Sequence, residues 1–469
     1  MAVVNLYSNI KGVPDRLEIG DPVHRGGEGR IFFTKDGLYA IKIYHAHKVS
    51  PAKRRFLEMI TMLGKSLTAE EAQFLCWPLA LVQTVDGHPQ VGCVIRRIPT
   101  PPYRPLSYIN CSPAAAVRQF KEGKSWSHYL QIARGVARAV AVLHGRGCAH
   151  ADLSNLNFLA NPDPNSCDVV LLDLDGLVVS GFLPAQVLGT MGIIAPEVLA
   201  RVDNPNELSD RHSLAVQILQ TLLFRNVFQP LRTYDPNDID NDEMLGWGRE
   251  AVFSEHPTDV RNRQRMLGVP LFNRGVLSYK MLTPALQRLT ERACLKGLHD
   301  PSKRPSAREW INVLSYALDE LYQCSRCRLH FPYPHWLHPV QRRSCPFCGQ
   351  RISGHLPSVL SLYEPRSRGK YLFVERYLVL CDGWHLFPDV LDPQRNPPMS
   401  RKGEPSVGHI EWDSKSSTNR LVNDEGNIWH ARLGEQDSLA KVGKGSFLLL
   451  QPGTIIHFGE GRRLLVVKE

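Results

Sequence analysis

His150-Ala151-Asp152-Leu153-Ser154-Asn155-Leu156-Asn157 is the stretch whose reading decides the fold. It sets a carboxylate and a carboxamide five residues apart, just after a strongly one-faced helical pattern. That pattern, over 126–145, carries Tyr129, Ile132, Val136, Val140 and Leu143. Beyond the stretch come two short apolar runs, 156–159 and 169–172, separated by turn-rich residues 161–168. The second run ends at Asp173-Leu174-Asp175-Gly176. Upstream, residues 17–45 alternate apolar and polar positions around His24-Arg25-Gly26-Gly27-Glu28-Gly29-Arg30-Ile31, a strand pair with a glycine-rich turn. Tyr39-Ala40-Ile41-Lys42 puts a lysine on the second strand, and residues 51–63 space Phe56, Ile60 and Leu63 as a helix that also carries Glu58. Downstream follow Gly189-Thr190, Ala195-Pro196-Glu197, Ser209-Asp210 at the start of a helix over 208–224, and a helical stretch over 283–322 containing Arg304-Pro305. Strands first and helices later predict an α+β architecture.

Each of these motifs is weak alone; in this order and spacing, residues 15–322 resemble the eukaryotic-type Ser/Thr protein kinases. The resemblance implies a two-lobed kinase domain over 1–322, with an N-lobe at 15–99 and a C-lobe at 100–322. It implies ATP and magnesium as cofactors. Gly26, Gly27, Gly29 and Ile31 would cover the nucleotide, and Ala40 would pack on its base. Lys42 would hold the phosphates, with Glu58 orienting it and Glu70 or Glu71 as competitors. Asp152 would take or orient the acceptor's hydroxyl proton. Asn157 and Asp173 would hold magnesium, since hard oxygen donors suit that ion, with Asp175 as the rival to Asp173. Glu197 and Arg304 would pair, and Asp210 would brace the loop around Asp152. Little covalent work falls to the protein in phosphoryl transfer, so positioning and charge carry the chemistry.

The chain departs from that pattern in places. His24 replaces the first glycine of the turn, Ala151 replaces an arginine that reads a phosphorylated activation segment, and Ser154 replaces a lysine. None of these changes removes a metal or base position, so an active kinase is expected over a nucleotide-binding pseudokinase scaffold. Residues 177–188 are unusually apolar, and Ser180 and Thr190 are the hydroxyls between Gly176 and Ala195. The insert at 225–282 includes an acidic run, 235–243, that lacks the glycine and terminal glutamate of a calcium loop and reads as solvated.

At Cys324 the composition shifts. Cys324-Ser325-Arg326-Cys327 and Cys345-Pro346-Phe347-Cys348 are two CxxC pairs separated by 17 residues, a spacing that brings four thiolates to one tetrahedral zinc. Four thiolates leave no open position, so this zinc is expected to be structural. His330, His335 and His338 are expected at the surface. A ribbon over 323–355 has little core of its own, so folding and metal binding are expected to be coupled, with residues 1–322 folded regardless. Basic and aromatic residues (Arg326, Arg328, Arg342, Arg343 and Arg351 with Phe331, Trp336 and Phe347) raise nucleic-acid binding as a weaker reading.

Residues 356–469 read as strands punctuated by turn residues. From Val407 to Val467 they are similar to forkhead-associated β-sandwich domains, without the usual phosphothreonine-reading pairs; Arg401 and Lys402 lie in a loop open to related work. Kinase, zinc ribbon and β module in this order resemble bacterial Ser/Thr kinases of the tellurite-resistance type of stress response. That resemblance implies a protein substrate, with a von Willebrand A-type protein and a metal-dependent phosphatase as partners.

The 469 residues carry a net +10, of which the tail from 323 contributes 20 basic and 14 acidic residues, scattered rather than clustered. No apolar run of membrane-spanning length exists, no secretory leader is visible, and eleven cysteines suit a reducing cytoplasm with one metal site.

Overall fold

The computed structural model describes residues 2–7, 12–110, 113–163, 166, 168–179, 182, 185, 188–264, 277–338, 344–352, 355–367, 370–433 and 439–468. Ser180, Arg342, Arg343, Cys111 and Cys167 lie outside them, as does the side chain of Asp175.

The chain is mixed α and β. Its first part is a seven-stranded antiparallel sheet built from β1 (Ala2–Tyr7), β2 (Arg16–Ile19), β3 (His24–Arg25), β4 (Gly29–Phe33), β5 (Tyr39–Tyr44), β6 (Pro78–Val85) and β7 (His88–Arg96). The strand order is β2-β1-β6-β7-β5-β4-β3. β1 lies outside the pattern legible between 17 and 45. One face of the sheet buries Val4, Ile41, Val82 and Val94. The other meets α1 (Pro51–Gly64), whose Phe56 and Ile60 join Leu81 and Cys93 in the main core. α1 begins where Ser50 accepts the Lys53 amide hydrogen (3.1 Å) and Pro51 fills the first turn.

Gly29 has a packing reason. A Cβ there would stand 2.3 Å from the Ile43 carbonyl oxygen on β5, whereas Gly27 is open. Gly29→Ala is therefore expected to pry β4 from β5 and lower the unfolding midpoint, while Gly27→Ala leaves it unchanged; equal midpoints for the two variants would contradict this packing account.

The helical part is organised around the buried helix Trp126–His144, flanked by Glu207–Leu223 and Ala307–Asp319. Asn206/Ser209 and Ser306/Glu309 form capping boxes at the starts of the latter two. The continuous helical stretch expected over 283–322 is broken: Pro284–Glu291 and Ala307–Asp319 are separated by a turn region with Gly297, Pro301 and Pro305. In the acidic run, Asp242 accepts the Asp235 amide hydrogen (3.0 Å) and Asp238 caps Ile239–Met244. These carboxylates order a turn.

The C-terminal residues form two antiparallel sheets, six-stranded and four-stranded. Leu360, Leu378, Trp429 and Ile456 from one and Ile410 and Leu421 from the other share an apolar core. Residues 385–391 give a strand of two residues, after which Pro388 opens the short helix Pro388–Leu391. Among the described residues, no helix is long and apolar enough to cross a membrane.

Candidate functional site

A cavity of about 340 Å³ lies where the sheet meets the helical part. Gly26, Gly27, Gly29 and Ile31 line it, and Glu28, Lys42, Asn157 and Asp173 are among its polar groups. Cys76, Pro78, Cys93, Ile95, Leu172 and Leu174 make the rest largely apolar. Burial pushes the Cys76 thiol up to about 12, so it is an inert wall and not a nucleophile. His24 lines the cavity in place of the missing glycine. Ala40 is buried two residues before Lys42, but β7 contributes the wall there through Cys93 and Ile95.

Lys42 Nζ stands 2.9 Å from Asp173 Oδ1. Asp173 takes left-handed backbone angles (φ 56°, ψ 48°), a conformation that short polar side chains tolerate best after glycine. Glu58 accepts a hydrogen bond from the Tyr7 hydroxyl (3.4 Å), and no Lys42–Glu58 ion pair forms among the described residues. Its competitors are committed elsewhere: Glu70 to Arg138 (3.1 Å), and Glu71 to the Thr68 amide (2.8 Å) and Arg146 (2.5 Å).

Asp152 is joined to the cavity through Asn157. Asn157 Nδ2 donates to the Asp152 carbonyl (2.8 Å) and to Asp152 Oδ2 (3.1 Å), so carboxamide and carboxylate orient each other. Asp152 Oδ1 accepts from the Thr190 hydroxyl (2.7 Å). The loop itself is pinned from below. Buried Asp210 accepts the His150 amide hydrogen (2.6 Å) and the Ala151 amide hydrogen (3.0 Å), and it faces His144 Nε2 (3.2 Å). His150 Nε2 donates to the Leu172 carbonyl (2.9 Å), so the ring ties the Asp152 loop to the strand that ends before Asp173. Ala151 pays for this with φ +67°, a left-handed angle that Cβ disfavours. His144 escaped sequence reasoning because it sits in the last turn of an apolar-faced helix, with no motif around it.

Glu197 and Arg304 meet as expected. The guanidinium gives Glu197 two bonds (2.6 and 2.8 Å) and spends its remaining hydrogens on the carbonyls of Gly297, Leu298 and Leu208. Arg304 is buried, so removing its counter-charge strands a cation in the core. Glu197→Ala is expected to cost about 3–5 kcal/mol. Urea unfolding reads this directly, and a loss under 1 kcal/mol, the range of an exposed pair, would refute it.

The four cysteine sulfurs of Cys324, Cys327, Cys345 and Cys348 lie within 4.8 Å of one another and could hold a zinc ion. Cys324–Cys348 and Cys327–Cys345 are each 3.7 Å apart. A disulfide requires about 2.05 Å. A zinc–sulfur bond of about 2.3 Å in a tetrahedron gives sulfur–sulfur edges of about 3.8 Å. The two knuckles have matching backbones. The Arg328 amide donates to the Cys324 carbonyl (2.9 Å) and the Gly349 amide to that of Cys345 (3.0 Å). Both residues after the second cysteine are left-handed (φ 62° and 69°), where glycine is easiest.

The ribbon does not stand apart from the helical part. Phe347, between the second pair of cysteines, is fully buried, with its ring 4.9 Å from Phe120 and 5.4 Å from Trp126. The expectation that residues 1–322 fold regardless of the metal thus has to be weighed against a knuckle side chain packed into their core. His335 is also not at the surface: it is buried and bonded to buried Glu320 (2.8 Å), whose carboxyl is raised well above its ordinary value by burial and by Asp319 beside it. Phe331 and Phe347 are both in the core, so two of the three aromatic faces a nucleic-acid surface would use are inaccessible.

Arg401 is likewise committed. It bonds Asp319 (2.6 Å) and Asp389 (2.7 Å), and buried Arg376 bonds the same Asp319 (2.7 Å). Burial alone would raise the Asp319 carboxyl, but Arg401 and Arg376 hold it below the ordinary value. Arg134 adds hydrogen bonds to the carbonyls of Pro398 (3.1 Å) and Met399 (2.6 Å). These contacts fasten the β module to the helical part and occupy the loop that sequence left open for phosphate reading.

No protein-family model matches the chain, and no curated protein matches it.

Proposed function

We propose that the chain is an ATP-dependent protein Ser/Thr kinase, with residues 1–322 as a two-lobed kinase domain, followed by a structural zinc ribbon and a forkhead-associated-like β module. The observation that carries this reading is that Lys42, Asp173 and Asn157 line one cavity, with Lys42 paired to Asp173 and Asp152 bonded to Asn157. An ammonium suits phosphate oxygens, and the carboxylate and carboxamide oxygens of Asp173 and Asn157 are the hard donors that magnesium takes. Bound magnesium would supply charge neutralisation at the phosphates. Asp152 would accept a proton from an acceptor hydroxyl, with Asn157 keeping its carboxylate oriented. The Thr190 hydroxyl bonded to Asp152 Oδ1 occupies the place such a hydroxyl would take. The apolar cavity walls exclude water and suit a base.

His24 and Ser154 favour a second reading, a nucleotide-loaded scaffold that recruits partners without transfer. Incubation with γ-labelled ATP and magnesium separates the two. The kinase reading expects label on serine or threonine of the chain or of a co-purifying protein; nucleotide binding without label would leave the scaffold.

A further inference from the structure

A second cavity, of about 370 Å³, is lined in part by the chain segment just before the one that lines the first. Glu70, Glu71 and Phe74 line it, while Cys76 and Pro78, a few residues on, line the first. The helices Trp126–His144 and Ala307–Asp319 and the loop at Asn396 complete it, so three separate parts of the chain meet there. Its charges do not cancel. Arg138 is matched by Glu70 (3.1 Å) and Arg146 by Glu71 (2.5 Å), but Arg308, exposed in the first turn of its helix, has no ion-pair partner among the described residues. The carboxamides of Asn312 and Asn396 make no side-chain hydrogen bond among the described residues either. Beside these polar groups, Phe74, Val142 and Ile311 give the wall an apolar share.

We infer that this cavity is a binding site for a small monoanion with an apolar body. One unmatched guanidinium sets the ligand's charge, two unspent carboxamides fix its orientation, and the apolar wall takes the rest. The cavity is as large as the proposed nucleotide cleft and falls within the size range of small-molecule sites. Two matched ion pairs engage the other arginines beside it, leaving Arg308 as its unpaired charge among the described residues.

Anilinonaphthalene sulfonate, an anion on an apolar ring system, is the probe. Titrated into the full chain, it is expected to give saturable fluorescence with one site. Arg308→Glu is expected to weaken that binding by about tenfold or more, the scale of one charge-assisted hydrogen bond. The substitution is exposed, and an unchanged unfolding midpoint checks that the fold is retained. Lys42→Ala, in the first cavity, is expected to leave the probe's affinity unchanged. Absence of saturable binding, equal affinity in Arg308→Glu, or loss of binding in Lys42→Ala would each overturn the assignment.

Discussion

Asp152→Asn is expected to reduce phosphoryl transfer by about 10²–10⁴, the usual worth of a positioned general base, and to leave nucleotide affinity unchanged. The substitution is nearly isosteric. Its side-chain oxygen can still accept from Asn157 or from Thr190, and Asp210 continues to hold the loop through the amides of residues 150 and 151. What is lost is a second carboxylate oxygen able to take a proton. A fall in transfer with unchanged ATP affinity, measured on the same preparation, is the expected pair of results. Transfer within a few-fold of the parent would remove Asp152 from the chemistry, and a matching loss of affinity would mean that its role is to build the cleft.

Cys345→Ser is expected to release the zinc ion and, with it, to destabilise the helical part. The reason is Phe347. The turn that presents Cys345 and Cys348 to the metal also drives Phe347 between Phe120 and Trp126. Phe120 in turn packs on Tyr129 (5.8 Å) and Phe224 (5.4 Å), so the cluster joins the start of Trp126–His144 to the end of Glu207–Leu223. The other ends of those two helices carry His144 and Asp210, which meet beneath the Asp152 loop. Phe347→Ala separates the packing from the metal. It keeps all four thiolates and is expected to bind zinc normally, yet to lose about 3–5 kcal/mol, the range for deleting a buried phenyl ring. Cys345→Ser should lose at least as much, together with its zinc by elemental analysis. Loss of zinc with an unchanged unfolding midpoint would show that the ribbon is an independent appendage.

The two proposed centres were legible in the sequence to different depths. The CxxC spacing named all four sulfurs, because a tetrahedral ion makes a local demand that residue type and interval express. The residues between the cysteines follow no periodicity, so the insertion of Phe347 into a distant core could not be read, although a phenyl ring inside a knuckle was a signal. In the cleft, Asp152, Asn157, Lys42 and Asp173 were legible as types in order. That Lys42 meets Asp173 while Glu58 meets Tyr7 depends on how α1 sits against the sheet, which no short motif records. The tie between Arg376, Arg401, Asp319 and Asp389 was beyond sequence for the same reason: its members are spread from 319 to 401, and a scattered surface charge and a buried one look alike in a string.

The central claim is that the cavity at Lys42 and Asp173 takes a nucleotide. Calorimetric titration of the full chain with ATP, with and without magnesium, tests it most directly. One site is predicted, strengthened by magnesium, with affinity lost in Lys42→Ala and its magnesium dependence lost in Asp173→Asn. No heat of binding in the parent protein, or binding indifferent to both substitutions, would contradict it.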